Sequence, residues 1–210
     1  EPGLTYAARS KKCPQLNDKI NYFIEIVPKN IEYDFRISQK QLNRMAGRIT
    51  SSRRIRREKV LGLTSTQHEI SYKMSSQPVT MNKARFCARI NSVSLKIRVK
   101  KLKVYILNKY KPGTCQYNAI IDHEHEHVST FQNGLRNLKE EFENRIWGII
   151  RNLPPGIGTS PSRASKAAFK HLDYRISRIK DPIEKRMQIE NEKIDTPLSY
   201  RKLTQRCKSW

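Results

Sequence analysis

The chain has 210 residues, of which 37% are hydrophobic, enough for one domain with a real core or two small ones. Its formal net charge is +23, from 42 Lys and Arg against 19 Asp and Glu, and no apolar run is long enough to span a membrane. A membrane-spanning class is therefore set aside, and a field of that sign and size points toward anionic partners.

The amino-terminal half reads as strands with one short helix. "NYFIEIV" (21–27) and "IEYDFRIS" (31–38) alternate in strand fashion, "QKQLNRMAGRI" (39–49) has helical spacing, and "HEISYKM" (68–74) alternates again. Between them "SSRRIRREK" (51–59) is the densest basic run and reads as an exposed connection or a solvated helix face. Val93, Leu95, Ile97 and Val99 alternate on one parity and Leu102, Val104 and Ile106 on the other. That mirror symmetry predicts a hairpin turning at residues 100 and 101.

From Asn118 to about Ile150 the pattern is helical and free of proline, and "LPPGIGTSPS" (153–162) must stop that helix. A second helix is predicted from about Arg163 to Ile194. Its apolar stripe runs through Leu172, Ile176, Ile179, Ile183 and Met187 to Ile194, with Pro182 as a kink or interruption and Pro197 as the end. The expected fold class is α+β: a single domain over 1–210, with a strand-rich lobe (1–116) packed on an antiparallel pair of long helices (117–210). No repeat and no low-complexity tail is visible.

Cys13, Cys87, Cys115 and Cys207 contain no CxxC pair, so a structural zinc knuckle is not expected. Two disulfides fit an even count and a chain beginning at Glu1, a start that suggests either a truncation or the end left by removal of a signal peptide. Four buried thiols are the alternative. The predicted hairpin would pair Cys87 with Cys115 and leave Cys13 for Cys207. A secreted or periplasmic location is the matching expectation.

"DHEHEHV" (122–128) lies on the first long helix. At about 100° per residue, His123 and His127 share a face with Phe131, Leu138, Phe142 and Ile149. Glu124 stands at the edge of that face, whereas His125 and Glu126 point away. The stretch is therefore H-E-x-x-H, in which two imidazoles one turn apart reach one zinc ion. The intervening glutamate is placed as general base toward the water that attacks a carbonyl. The bland reading is a surface helix with solvated His and Glu, and chance does not usually align both histidines with an apolar stripe.

A catalytic zinc commonly has three protein ligands. If the two helices pair about the 153–162 loop, the level of His125 on the second falls near residue 189, and Glu190 occupies a stripe position there. Glu190 is thus the preferred third ligand, against the plain reading of a glutamate that snorkels to solvent. Asp195 is the runner-up, as ligand or as acceptor orienting a histidine, and Glu192 ranks last. Tyr200 is a candidate donor to a developing oxyanion, though a tyrosine past a helix end is commonly packing. His68 and His171 read as ordinary residues.

On these residues the chain resembles the zincin metallopeptidases, and its layout looks like the small secreted bacterial zincin-like domains of unknown function. The resemblance rests on "HEHEH", with "GTCQYNAIIDHEHEH" and "ENEKIDTPLSY" as counterparts of a cysteine-preceded motif helix and a second acidic helix, over roughly residues 85–207. It implies Zn2+, His123 and His127 as ligands, Glu124 as general base, and a peptide or amide bond as substrate. The third histidine of the metzincins does not follow "HVSTFQNG", and "NEKID" has the wrong gap for the thermolysin pattern, so the third ligand rests on helix pairing alone.

Two further classes stay open. One is a polyanion-binding protein, for nucleic acid or, in the favoured version, an anionic cell-envelope polymer, since no helix-turn-helix, zinc-finger or RNP motif accompanies the charge. The other is a zincin-like scaffold that binds metal without turnover.

Overall fold

The computed structural model describes residues 13, 20–49 and 60–210, so the basic run 51–59 lies outside the described residues. Nine elements follow in order: β1 (Asn21–Val27), β2 (Glu32–Ile37), α1 (Gln39–Ile49), β3 (Gly62–Asn82), β4 (Arg85–Leu107), α2 (Cys115–Asn152), β5 (Gly156–Gly158), α3 (Pro161–Ile194) and α4 (Pro197–Gln205). The fold is mixed α and β, and β4 pairs with each of the other strands.

Helix starts are set by local chemistry. The Ser38 hydroxyl accepts from the Gln41 amide while the Gln41 side chain accepts from the Ser38 amide, a capping box that opens α1. Thr114 accepts from the Tyr117 amide and starts α2 three residues before the position that apolar spacing predicts. Ser160 does the same for α3 through the Arg163 amide, with Pro161 in the first turn where its missing N–H costs nothing. Thr196 and Ser199 form the capping box of α4, so Pro197 opens a further helix as well as following the end of α3. α3 runs through Pro182 without a break, giving up one backbone hydrogen bond there.

The hairpin expected at residues 100 and 101 is not formed. β4 is one continuous strand, and its inward face changes parity at Lys100–Lys101 as though one residue were inserted. A parity flip in the hydrophobic pattern is produced equally by a reversal of the chain and by a local slip within a straight strand. The chain turns instead at Lys83–Ala84, where the Asn82 carboxamide oxygen accepts from the Ala84 amide. With that turn relocated, the disulfides change as well. Cys13 is bonded to Cys87 and Cys115 to Cys207, in place of the Cys87–Cys115 and Cys13–Cys207 pairs. Two disulfides are compatible with an extracellular protein, and no described helix is long and apolar enough to cross a membrane.

The chain divides into two compact units, each drawing on strands and on both long helices. The first comprises Glu1–Glu25, Ser71–Lys96 and Glu140–Lys180. Its core is built from Ile90, Val93 and Leu95 of β4, Phe142, Ile146 and Ile150 of α2, and Leu172, Ile176 and Ile179 of α3. β5 runs antiparallel to the start of β4, with Cys87 opposite Ile157. Side chains at Gly156 and Gly158 would collide with the α3 backbone around Ala164, so only glycine lets β5 lie this close.

The second unit comprises Ile26–Ile70, Ile97–Lys139 and Asp181–Trp210. Within it β2 pairs in parallel with the end of β4, Tyr33 opposite Val104, and the Ile97, Leu102, Val104 and Ile106 side chains are buried. Leu42 and Ala46, one turn apart on α1, are both buried. The Cys115–Cys207 bond ties the start of α2 to the residues after α4. All of the candidate site residues lie in this unit.

Candidate metal centre

The start of α2 delivers three polar side chains inward. His123, Glu124 and His127 are 8%, 3% and 6% exposed, whereas His125 and Glu126 are at the surface. The end of α3 supplies the opposing set, with His123 Nε2 3.2 Å and His127 Nε2 3.3 Å from the same oxygen, Oδ1 of Asp195. One turn earlier, Asn191 Oδ1 accepts from His127 Nδ1 at 2.8 Å. Two residues spaced i and i+4 on one helix thus meet two spaced i and i+4 on the other.

Each helix therefore contributes to a group of donors that suits a metal ion. Ligand atoms of His123, His127 and Asp195 all lie within 4.8 Å of one another. Two imidazole nitrogens and one carboxylate oxygen are a donor set suited to zinc and to neighbouring divalent metals. The Asn191 contact adds to the fit, because fixing the proton on Nδ1 leaves Nε2 as the ring's metal-binding atom.

Protons occupy the same positions. Both nitrogens of His127 face oxygens that only accept, an arrangement that favours the doubly protonated ring. Burial alone would lower its pKa, but the hydrogen bond to Asp195, the charges of Glu124 and Asp195, and Asn191 together raise it to about 9. Asp195 is held well below the ordinary carboxylate range. Burial opposes that shift, and the hydrogen bonds and charges of His123 and His127 overcome it. Glu124 moves the other way: burial raises it, and the histidines and Thr64 compensate only in part.

Glu124 is held in place from β3. The Thr64 hydroxyl lies 2.8 Å from Glu124 Oε2 and 3.1 Å from its backbone carbonyl. Gly62 stands against the same carboxyl group, and a Cβ there would meet Oε1 at 2.5 Å. Glu124, His127, Asn191, Asp195 and Tyr200 line a common cavity of about 40 Å³, room for water rather than for a substrate side chain. A larger groove of about 340 Å³ lies between Thr66 and His68 of β3, Phe131 of α2, and Glu184 and Met187 of α3. Asn191 lines both.

The remaining expected positions are placed as follows. Glu190 is exposed and 2.7 Å from Lys193, outside the cluster. Glu192, also exposed, accepts from Gln188. The matching level on α3 lies one turn beyond the one counted from the loop, which brings Asp195 rather than Glu190 opposite the histidines. Tyr200, on α4, lies with its ring 5.5 Å from that of His123 and its hydroxyl 3.4 Å from Asp195 Oδ1. His125 hydrogen-bonds the Tyr33 hydroxyl at 2.9 Å, tying α2 to β2. His68 pairs with Glu184 at 2.9 Å and packs on Phe131, and His171 is exposed.

Thr64, Gly62 and Asn191 escape a reading of the sequence. Only Asn191 leaves a trace, as the residue one turn before Asp195 in "ENEKID". Comparison with protein-family models, curated proteins and solved structures returns no match for this chain.

Proposed function

We propose that the chain is a zinc-dependent hydrolase of peptide or amide bonds that works outside the cell or in a periplasm. The observation carrying this reading is that Glu124, a buried carboxyl group with a raised pKa, lines the same water-sized cavity as His127 and Asp195. His123, His127 and Asp195 would hold the ion, with α2 and α3 paired antiparallel to bring them together.

Zinc bound there supplies Lewis acidity, polarising a carbonyl and making a water more acidic. The chain's own residues handle the protons. Glu124, oriented by Thr64, takes the proton that water loses on attacking the carbonyl and returns it to the departing nitrogen. A raised pKa suits both halves of that task, since the acid form must persist long enough to donate. The Tyr200 hydroxyl donates to the carbonyl oxygen as negative charge develops on it. Asn191 keeps the His127 ring in register from the outer side.

Elemental analysis is expected to find about one zinc per chain, and Glu124→Gln to retain it while abolishing cleavage of a peptide library. A chain that takes up no divalent metal after chelation and reloading would end the reading. The small volume of the central cavity favours a second reading, a metal-binding scaffold without turnover. Retained zinc with no cleavage by the wild-type chain across the library selects it.

A further inference from the structure

The metal centre makes no use of the positive charge, and part of that charge is organised on the first half of α3. Between Pro161 and Lys180 this helix carries Arg163, Lys166, Lys170, Arg175, Arg178 and Lys180 against one carboxylate, Asp173, which accepts a hydrogen bond from Tyr72. At about 100° per residue, Ala164, Ala168, Leu172, Ile176 and Ile179 form the buried face. Arg163, Lys166, Lys170 and Arg178 fall on the opposite face, with Tyr174 in their midst and 61% exposed.

These cations differ from several in the other unit. There Lys29 meets Glu32, Lys100 meets Glu69 and Lys103 meets Asp34. No carboxylate stands against Lys166, Lys170 or Arg178 among the described residues, and the Arg163 guanidinium donates to the Thr159 hydroxyl. The row extends about 22 Å along the helix axis and does not converge, so a small anion meets one or two charges while a linear polyanion meets all of them. An exposed phenol ring within such a row offers a flat surface on which an unpaired base can stack, as the bases of a duplex, already stacked on each other, cannot.

From this juxtaposition we infer that the outer face of α3, from Arg163 to Arg178, is a binding surface for single-stranded nucleic acid. The cations follow the phosphates and Tyr174 stacks on a base. The inference stands apart from the metal centre and holds whether or not the chain hydrolyses anything.

The test is fluorescence anisotropy of the full chain with labelled oligothymidine over a series of salt concentrations. Combining Lys166→Gln, Lys170→Gln and Arg178→Gln should reduce the slope of log affinity against log salt by about 2, from about 0.7 per phosphate contact on a single strand. Exchanging the same positions as Lys166→Arg, Lys170→Arg and Arg178→Lys should keep the slope, which separates lost charge from lost folding. Tyr174→Ala should weaken oligothymidine by about 5- to 150-fold and leave the binding of base-free polyphosphate unchanged. An equal loss of slope from Lys100→Gln, Lys101→Gln and Lys103→Gln overturns the assignment to α3. If Tyr174→Ala has no effect on oligothymidine, the surface is a general polyanion site, suited to an envelope polymer, and the nucleic-acid inference fails.

Discussion

The two halves of α3 are built on different plans. From Pro161 to Lys180 the helix is cleanly amphipathic, with Ala164, Ala168, Leu172, Ile176 and Ile179 buried and charge on the outside. From Asp181 onward the stripe loosens, and Ile183, Met187 and Ile194 are only partly buried. Polar Asn191 and Asp195 face the histidines of α2 instead. The first half gains stability by removing apolar surface from water. The second gives up some of that burial to hold polar atoms where a metal can use them, and the change falls next to Pro182, where the two compact units divide the helix.

Asp195→Ala should break the second half most severely. On the proposed zinc reading it removes one of the three candidate ligands and should weaken zinc binding by more than about 100-fold in a competitive chelator titration, whereas Glu190→Ala on the exposed side should leave it unchanged. Leu172→Ala probes the first half. It should cost about 2–5 kcal/mol in urea unfolding through loss of a fully buried side chain, with zinc content unaltered when folded. A matching loss of zinc would show that the two halves are not separable.

Asn191→Ala is the subtler test, because it leaves all three candidate ligands in place and removes only the acceptor on His127 Nδ1. A loss of about 10- to 100-fold in metal affinity is expected. The last test is pH. His127 has a pKa raised to about 9 and must lose its Nε2 proton to bind metal, so affinity should rise by about tenfold per pH unit from neutrality toward 9 and then level off. Without metal the sign reverses: the raised pKa stabilises the fold below about 6.5, and that contribution is lost as pH climbs through 9. Asp195, shifted down, stabilises above the ordinary carboxylate pKa and loses its contribution on acidification. Calorimetric titration of zinc in buffers of different ionisation enthalpy should report about one proton released per ion bound near neutral pH.

Several features were legible because a local pattern carried them. The bounds of β1 and α1 agree with their alternation and spacing, the long helices with their stripes, and the burial of His123 and His127 with helical phase. The predicted turn at Lys100–Lys101 failed because parity is the only trace a slip leaves in sequence, and the disulfide pairing failed with it. The level of the second helix was off by one turn. Counting residues from a loop fixes rise along an axis, but not the offset at which two helices settle, which depends on side-chain packing along their whole contact.

The sequence by itself determined the periodicities, the charge, and the inward direction of His123 and His127, all of which follow from bond geometry within one segment. Only tertiary structure decided that Asp195 and Asn191 stand opposite those histidines, that Thr64 and Gly62 enclose Glu124, and that Cys13 meets Cys87. Those contacts join residues 60 or more positions apart, and their partners are chosen by how whole elements pack, information that no short window of sequence holds.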